Sequence, residues 1–352
     1  MRILTIGAKS PINQALAERA EYDVWALVPH HAAIKSTELP YRQIPYNFGR
    51  KLSFSSILQV RDTWKRAQPD VVHAFYPRPL AHAVLAATTL SAQTPIVSYR
   101  GITSLPARWN PDEWVTYLSP KVSAHACESA AVSDALVAVG VPAQRCHVVH
   151  NCLGKLPATT SRLAARQRLG LSENAFVAMM VANMRPVKGA DLLLEAALAC
   201  RELPDFKVVL VGQVLDLRVE QLAKDARLAN IVHLAGYRND ASELFAAADL
   251  FVMPSRAEAL CVAMLEAMTQ GVCPVVSDAG GMKEAVRNGV DGIVCPREDV
   301  NALADSLRQL HGDRDLVARY AASAQQRART DFSAAAMVER LAAMYTGLTR
   351  AA

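Results

Sequence analysis

Apolar residues in the first 150 positions fall into short runs, separated by stretches that place an apolar residue every three or four positions. The runs predict strands at Arg2–Ile6, Val24–Val28, Val71–Phe75, Ile96–Tyr99, Ala124–Cys127 and Cys146–His150. The periodic stretches predict helices over Pro11–Glu21, with Ala15, Leu16 and Ala20 inward, and over Arg50–Ala67, Leu80–Leu90 and Ser129–Val139. The strand runs are apolar on both faces, as a parallel sheet covered by helices on both sides requires.

The second half repeats the rhythm. Strands are predicted at Phe176–Ala182, Lys207–Val211, Ile231–Leu234, Leu250–Met253, Pro274–Ser277 and Gly292–Val294. Helices are predicted at Ala190–Arg201, Leu217–Ala226, Ala241–Ala247, Cys261–Thr269, Gly281–Asn288 and Val300–Leu310. Two such series imply an α/β protein with two doubly wound domains, 1–157 and 158–332. A last helix, roughly Ala334–Leu348 within 333–352, follows the completed second series and is expected to cross back onto the first domain. Open sheets of this kind bind ligands outside the carboxyl ends of their strands, so chemistry is sought there.

Composition narrows the class. The 352 residues are 51% hydrophobic and 20% charged, enough apolar material for two cores and too much for a disordered chain. No apolar run approaches the roughly 18 residues of a membrane span, and the short run after Arg2 reads as a cytosolic first strand rather than a signal peptide. The seven cysteines are scattered without a Cys-x-x-Cys pair, which argues against a disulfide framework or zinc site and for a reducing compartment. The net charge of +5 is uneven: residues 1–170 hold 19 basic and 10 acidic side chains. Nucleic acid, an anionic membrane surface or an anionic substrate would each account for that. Nucleic acid is the weakest, because no recognition motif and few interleaved aromatics accompany the charge.

Two stretches carry candidate chemistry. Residues 254–278 read as loop, helix, glycine stop and strand, with Glu258 in the loop and Glu266 in the helix. An anion fits the free N–H groups of such a helix start, and a carboxylate further along can accept two hydroxyl hydrogen bonds from a ribose. Residues 181–196 run from a strand end through Arg185 and Lys188 to Gly189, which opens a helix. One guanidinium and one ammonium beside a helix start suit a diphosphate.

Together these stretches resemble the nucleotide-sugar half of the retaining glycosyltransferases of family 4, which have the GT-B architecture of two facing Rossmann-like domains. Further segments agree: Asp70-Val71-Val72-His73, Gly140-Val141-Pro142 leading to His150-Asn151, Ala247-Ala248-Asp249 leading to Pro254-Ser255, and Ser277-Asp278-Ala279-Gly280-Gly281 with Glu284. The resemblance implies an acceptor-binding first domain and a donor-binding second domain. It implies that Arg185 and Lys188 hold the donor diphosphate, that Glu266 binds the ribose, and that Glu258 faces the donor sugar or its phosphate. Gly212, Leu260, Cys261 and Val262 complete the expected donor side. It also implies transfer with retention and no cofactor or bound metal, in keeping with the lack of an Asp-x-Asp motif. The partners implied are a nucleotide-sugar donor and a glycan or lipid-linked acceptor, in bacterial surface polysaccharide or lipopolysaccharide synthesis. The expected location is cytoplasmic, with the inner face of the cytoplasmic membrane open.

The chain departs from the family at several points. Ala259-Leu260-Cys261 stands where Gly-Phe-Gly is usual, and Cys261 adds a side chain where glycine lets backbone approach phosphate or sugar. Asn151-Cys152-Leu153 replaces Asn-Gly-Val, and Arg100-Gly101 stands where a histidine is common. Arg100 meets an anionic donor or acceptor group, or is a surface arginine. Lys9, in a short basic loop poor in glycine, is an acceptor-phosphate candidate; Cys127 is another acceptor-side candidate. His73 ends a strand and reads either as a catalytic or acceptor residue or as a buried structural histidine. The basic helix Arg50–Ala67 reads either as membrane-facing or as a covering helix with a solvated basic face. A nucleotide-sugar 2-epimerase and a degenerate nucleotide-sugar-binding protein are the rival functions.

Overall fold

The first sheet contains, in chain order, β1 (Arg2–Ile6), β2 (Asp23–Pro29), β3 (Arg42–Tyr46), β4 (Val71–Ala74), β5 (Ile96–Arg100), β6 (Val122–Cys127) and β7 (Cys146–Val148). Its spatial order is β3-β2-β1-β4-β5-β6-β7, every pair parallel. The second contains β8 (Phe176–Val181), β9 (Phe206–Val211), β10 (Val232–Gly236), β11 (Leu250–Met253), β12 (Cys273–Ser277) and β13 (Ile293–Cys295), ordered β10-β9-β8-β11-β12-β13 and again all parallel. Strand order therefore reverses between β1 and β4 in one sheet and between β8 and β11 in the other. Crevices that bind ligands open at such reversals. This is a computed structural model that describes residues 1–8, 10–34, 39–90, 93–153 and 160–350.

The chain divides into two units, Met1–Gly154 with Ala334–Ala352, and Lys155–Ser333. The first unit is discontinuous in sequence. Its core joins Ile3, Leu16, Val24, Val71 and Val97 to Met337, Leu341 and Tyr345 from the C-terminal helix Ala334–Arg350. Burying each large apolar side chain contributes about 1.5–3 kcal/mol to holding this helix on the first sheet. The same helix donates or accepts one buried polar bond, Tyr345 Oη to His73 Nδ1 at 2.6 Å. Among the described residues no helix is long and apolar enough to cross a membrane.

Several elements differ from the sequence expectation, each for a local reason. Strand β3 was not anticipated: Arg42 and Pro45 are poor strand signals, and proline is tolerated because β3 lies at the sheet edge. The helix expected over Arg50–Ala67 begins at Phe54, because the Ser53 side chain accepts the Ser56 N–H and caps it there. The helix expected over Gly281–Asn288 shrinks to Met282–Ala285, where Val286 turns extended. Helices Arg162–Arg168 and Arg314–Asp331 were not anticipated; the buried stripe of the latter is mostly alanine (Ala321, Ala324, Ala328), a weak periodic signal in a polar stretch.

Candidate active site

The two chemistry-bearing stretches leave adjacent strands of the second sheet. Residues 182–189 follow β8 and residues 254–261 follow β11, the pair that flanks the reversal of strand order. Their loops are fastened together. The Arg256 N–H donates to Val187 O at 2.8 Å. Gly189, at φ +71°, lies so near Pro254 that a Cβ there would sit 2.1 Å from the Pro254 carbonyl oxygen. Only glycine fits that approach.

Arg256 is the main rivet. Its Nη1 and Nη2 donate to the two oxygens of Asp191 at 2.8 and 2.7 Å, Nη1 also donates to Pro186 O at 2.6 Å, and Nε donates to Glu298 at 2.9 Å. The Asp191 side chain is only 3% exposed. Burial pushes its carboxyl up, but the bonds and charge of Arg256 outweigh this and hold it below the usual carboxylate range. The guanidinium is pushed up in turn, chiefly by its bonds to Asp191. A planar fork against a carboxylate fixes angle as well as distance, so the two loops keep one geometry.

Within this frame Lys188 Nζ donates to Glu258 Oε2 at 2.5 Å. Both side chains are half-buried. Arg185 is exposed and has no ion-pair partner among the described residues. Glu266, on the helix Val262–Thr269, accepts from Ser242 Oγ at 2.9 Å, and Ser242 O in turn accepts from Gln270 Nε2 at 2.7 Å. Glu258 is pinned from behind: Gly281 N–H donates to Ala259 O at 2.8 Å, and a Cβ on Gly280 would lie 1.6 Å from Glu258 O.

The two helices that begin here differ from the rest of the second unit. Ala190–Ala199 follows Gly189 and Val262–Thr269 follows Cys261, and neither N-terminus carries a side-chain cap. Every other helix of this unit longer than one turn is capped, by Ser161, Asp216, Asp299 or Asp313. Uncapped N–H groups at the positive end of a helix favour an anion.

Cys261 adopts a left-handed backbone that glycine enters readily, at φ 68° and ψ 87°. That left-handed conformation costs a non-glycine residue roughly 1–2 kcal/mol. Leu260 is wholly buried and anchors the loop, whereas Val262 is 37% exposed at the helix start. Gly212, at φ +136°, lets the end of β9 press on the end of β8: a Cβ there would sit 1.9 Å from Ala182 O.

The first-unit candidates fare differently. Lys9 lies outside the described residues. His73 is fully buried, stacked on Phe75 and bonded to Tyr345, and burial pushes its imidazole down to about 3. It is the structural histidine of the two readings, a neutral ring that seats the C-terminal helix. Cys127 is also fully buried, and its thiol is pushed up by its bond with Cys146 and by burial, so it meets no substrate as an acceptor-side group. Arg100 is no surface arginine: it is 2% exposed, lies 4.5 Å above the Tyr117 ring and donates to Ser104 O. Burial pushes its guanidinium down from the usual value. Among the described residues no group of three or more His, Cys, Asp or Glu side chains could hold a metal ion.

Sequence reasoning gave Arg256, Asp191, Ser242 and Gly280 no role in the site. Arg256 and Asp191 are 65 residues apart, and only the adjacency of β8 and β11 brings them together.

The comparisons with known proteins agree with this architecture. Residues 13–153 match the profile of Glycosyltransferase Family 4 and residues 161–327 that of Glycosyl transferases group 1. The chain is covered for most of its length by the two profiles, the Glycosyltransferase Family 4 profile on the first unit and the Glycosyl transferases group 1 profile on the second. Its fold is GT-B: it superposes on Anabaena HepE, solved in complex with UDP, with a TM-score of 0.79 at 22% identity, covering 99% of this chain and 100% of that one. It is similar to a D-inositol 3-phosphate glycosyltransferase of Thermobispora bispora, 31% identical over 53% of this chain and 46% of the relative. It is also similar to the lipopolysaccharide core biosynthesis mannosyltransferase LpsB of Rhizobium meliloti, 27% identical over 53% of this chain and 56% of the relative. The chain thus spans about half the length of the curated relatives it matches.

Proposed function

We propose that the protein transfers a sugar from a nucleoside-diphosphate sugar to a hydroxyl of a glycan or lipid-linked acceptor, with retention at the anomeric carbon and without a metal ion. The observation that carries this reading is the pair of uncapped helix starts beside Arg185 and Lys188, at the reversal of strand order. Two helix dipoles, one guanidinium and one ammonium would balance the charge of a diphosphate, a task that a divalent ion performs elsewhere.

The roles follow from position. Arg185 and Lys188 hold the diphosphate and stabilise it as it leaves. Glu266, kept in place by Ser242, accepts hydroxyl hydrogen bonds from the ribose. Glu258 faces the donor sugar or its phosphate. The bond from the anomeric carbon to the phosphate oxygen breaks, and the acceptor oxygen bonds to that carbon on the same face. The acceptor proton passes to the departing phosphate oxygen. The LpsB relative supports a lipopolysaccharide or surface-polysaccharide setting, and the basic first half supports a peripheral position on an anionic membrane at its cytoplasmic face.

Thermal shifts with UDP, GDP, ADP, CMP and TDP and their common sugar conjugates, on wild type and Lys188→Ala, test the donor site. Saturation at a hundred times Kd stabilises by about 2.7 kcal/mol. A shift with one nucleotide class that is lost in the variant supports the reading. The absence of any shift overturns it. Release of free epimerised sugar without acceptor would assign the chain to the epimerases instead.

A further inference from the structure

The first unit contains a cavity of about 210 Å³, set between the segment Arg108–Tyr117, strand β6 and the turn Gly140–Arg145. Two arginines, Arg108 and Arg145, line it, and no acidic side chain does. Both are exposed, and neither has an ion-pair partner among the described residues. Arg50, Arg66 and Arg78 of the same unit are likewise without an ion-pair partner among the described residues, so what sets Arg108 and Arg145 apart is that they line one hollow. Two unpaired guanidiniums around one hollow repel each other unless an anion lies between them.

The surroundings are built. Gly140, at φ +93°, leaves its face bare, and a Cβ there would come within 3.4 Å of Arg108 Nη1. The guanidinium thus lies over the glycine. Trp114 Nε1 donates to Arg108 O at 2.8 Å, which fixes the indole as a wall beside the arginine. Tyr117 forms another wall, 5% exposed, with the guanidinium of Arg100 4.5 Å from its ring on the protein side. His125 is 2% exposed and has its Nδ1 bonded to Ser98 Oγ at 2.7 Å. Burial, reinforced by Arg100, Arg145 and His147, pushes it down to about 4, so at neutral pH it is a hydrogen-bonding group and not a third cation in the hollow.

We propose that this cavity is an anion site separate from the donor site, and that it binds the phosphate of a phosphomonoester. Two guanidinium forks match a dianion with several acceptor oxygens better than they match a single carboxylate. The volume falls below the roughly 300 Å³ of a full ligand pocket, so it takes the phosphate and the first carbons of the ester, which the Trp114 and Tyr117 rings cover. The ester is either a soluble phosphorylated metabolite or a lipid head group; Trp109, next to Arg108, is 88% exposed and free to meet a lipid surface.

The test is calorimetric titration of glycerol 3-phosphate into wild type, Arg108→Ala/Arg145→Ala and Arg185→Ala. The double variant should bind at least tenfold more weakly, about 1.4 kcal/mol, while Arg185→Ala binds as wild type does. Both substituted side chains are exposed, and near-ultraviolet circular dichroism checks the fold; should the double variant misfold, Arg145→Ala alone should still weaken binding severalfold. Equal affinity in wild type and the variants at Arg108 and Arg145, or no binding by wild type, overturns the proposal. A flotation assay with vesicles of phosphatidylcholine, with and without phosphatidic acid, then identifies the source. Loss of phosphatidic-acid-dependent recovery in the double variant assigns the site to a lipid head group. Unchanged recovery beside lost glycerol 3-phosphate binding assigns it to a soluble ester.

Discussion

Lys188 Nζ lies 2.5 Å from Glu258 Oε2, so the cation proposed for the donor diphosphate is engaged by the carboxylate proposed for the donor sugar. A diphosphate and Glu258 compete for one ammonium. Glu258→Gln removes the competitor. Its affinity for the cognate nucleoside diphosphate should be unchanged or up to about threefold tighter, while turnover falls at least about 100-fold. Lys188→Ala should lose both: a hydrogen bond to a charged group contributes about 1.5–3 kcal/mol, or roughly 10–100-fold in Kd. Calorimetry with the nucleotide and a turnover assay separate the two; equal losses of affinity in both variants would refute the competition.

The Arg256–Asp191 pair gives a second expectation. Asp191→Asn or Arg256→Ala removes the fork where the aspartate is 3% exposed, leaving Arg256 with Glu298 alone or Asp191 with Arg218 at 3.7 Å. Breaking a buried pair costs about 3–5 kcal/mol; with Arg256 a quarter exposed, the lower end applies. The pH dependence follows from the lowered Asp191 carboxyl. Its stabilisation is fully present above the unfolded value of about 3.9, and it fades as pH falls through the lower folded value. The difference in unfolding free energy between wild type and Asp191→Asn should therefore be constant from neutral pH to about 5 and shrink below about 4. A difference that persisted to pH 2 would show that the pair is not what stabilises the loops.

Gly280 and Cys261 make opposite demands. Gly280→Ala would drive a methyl group into the Glu258 carbonyl, now 1.6 Å from the added atom. Displacing that loop should cost about 1–3 kcal/mol and abolish most turnover. Cys261→Gly should keep turnover and change stability by no more than about 1 kcal/mol, because relief of the left-handed conformation offsets lost packing and added chain entropy. Cys261→Val should be clearly destabilised, since a branched side chain tolerates that conformation poorly. Chemical denaturation and turnover on the three variants check this ordering.

Tyr345→Phe deletes the hydroxyl that meets His73 Nδ1. The buried ring nitrogen is then unpaired, at a cost of about 1–3 kcal/mol. Turnover per folded molecule should not change, because His73 has no surface to act from. A large drop in kcat with unchanged stability would restore a catalytic part for the histidine.

Much of the fold was legible because its signals are local. Runs apolar on both faces announce a covered parallel sheet, and the switch from strand end to Lys188-Gly189 announces a helix start. The edge strand with Pro45 and the alanine-striped helix Arg314–Asp331 carry weak local signals and went unread. The same division runs through the site. Glu258, Glu266, Arg185 and Lys188 stand in recognisable local contexts. The rivet of Arg256 on Asp191 and the pressure of Gly280 on Glu258 are tertiary facts, created by which strands lie side by side. Cys127 misled, and His73 stayed open between two readings, for the converse reason: a strand end in sequence does not reveal whether the side chain meets solvent or is buried.

The discontinuity of the first unit bears on how the protein is made. Ile3, Val71 and Val97 emerge from the ribosome well before Met337, Leu341 and Tyr345, which complete their core. The second unit is contiguous in sequence and has all its strands before that point. At about 5–20 residues per second, the opening sheet waits roughly 10–40 s for its last wall. Of the two units, the one whose strands are synthesised first is thus the one completed last, and an apolar face of its sheet must be kept from other nascent chains in the interval.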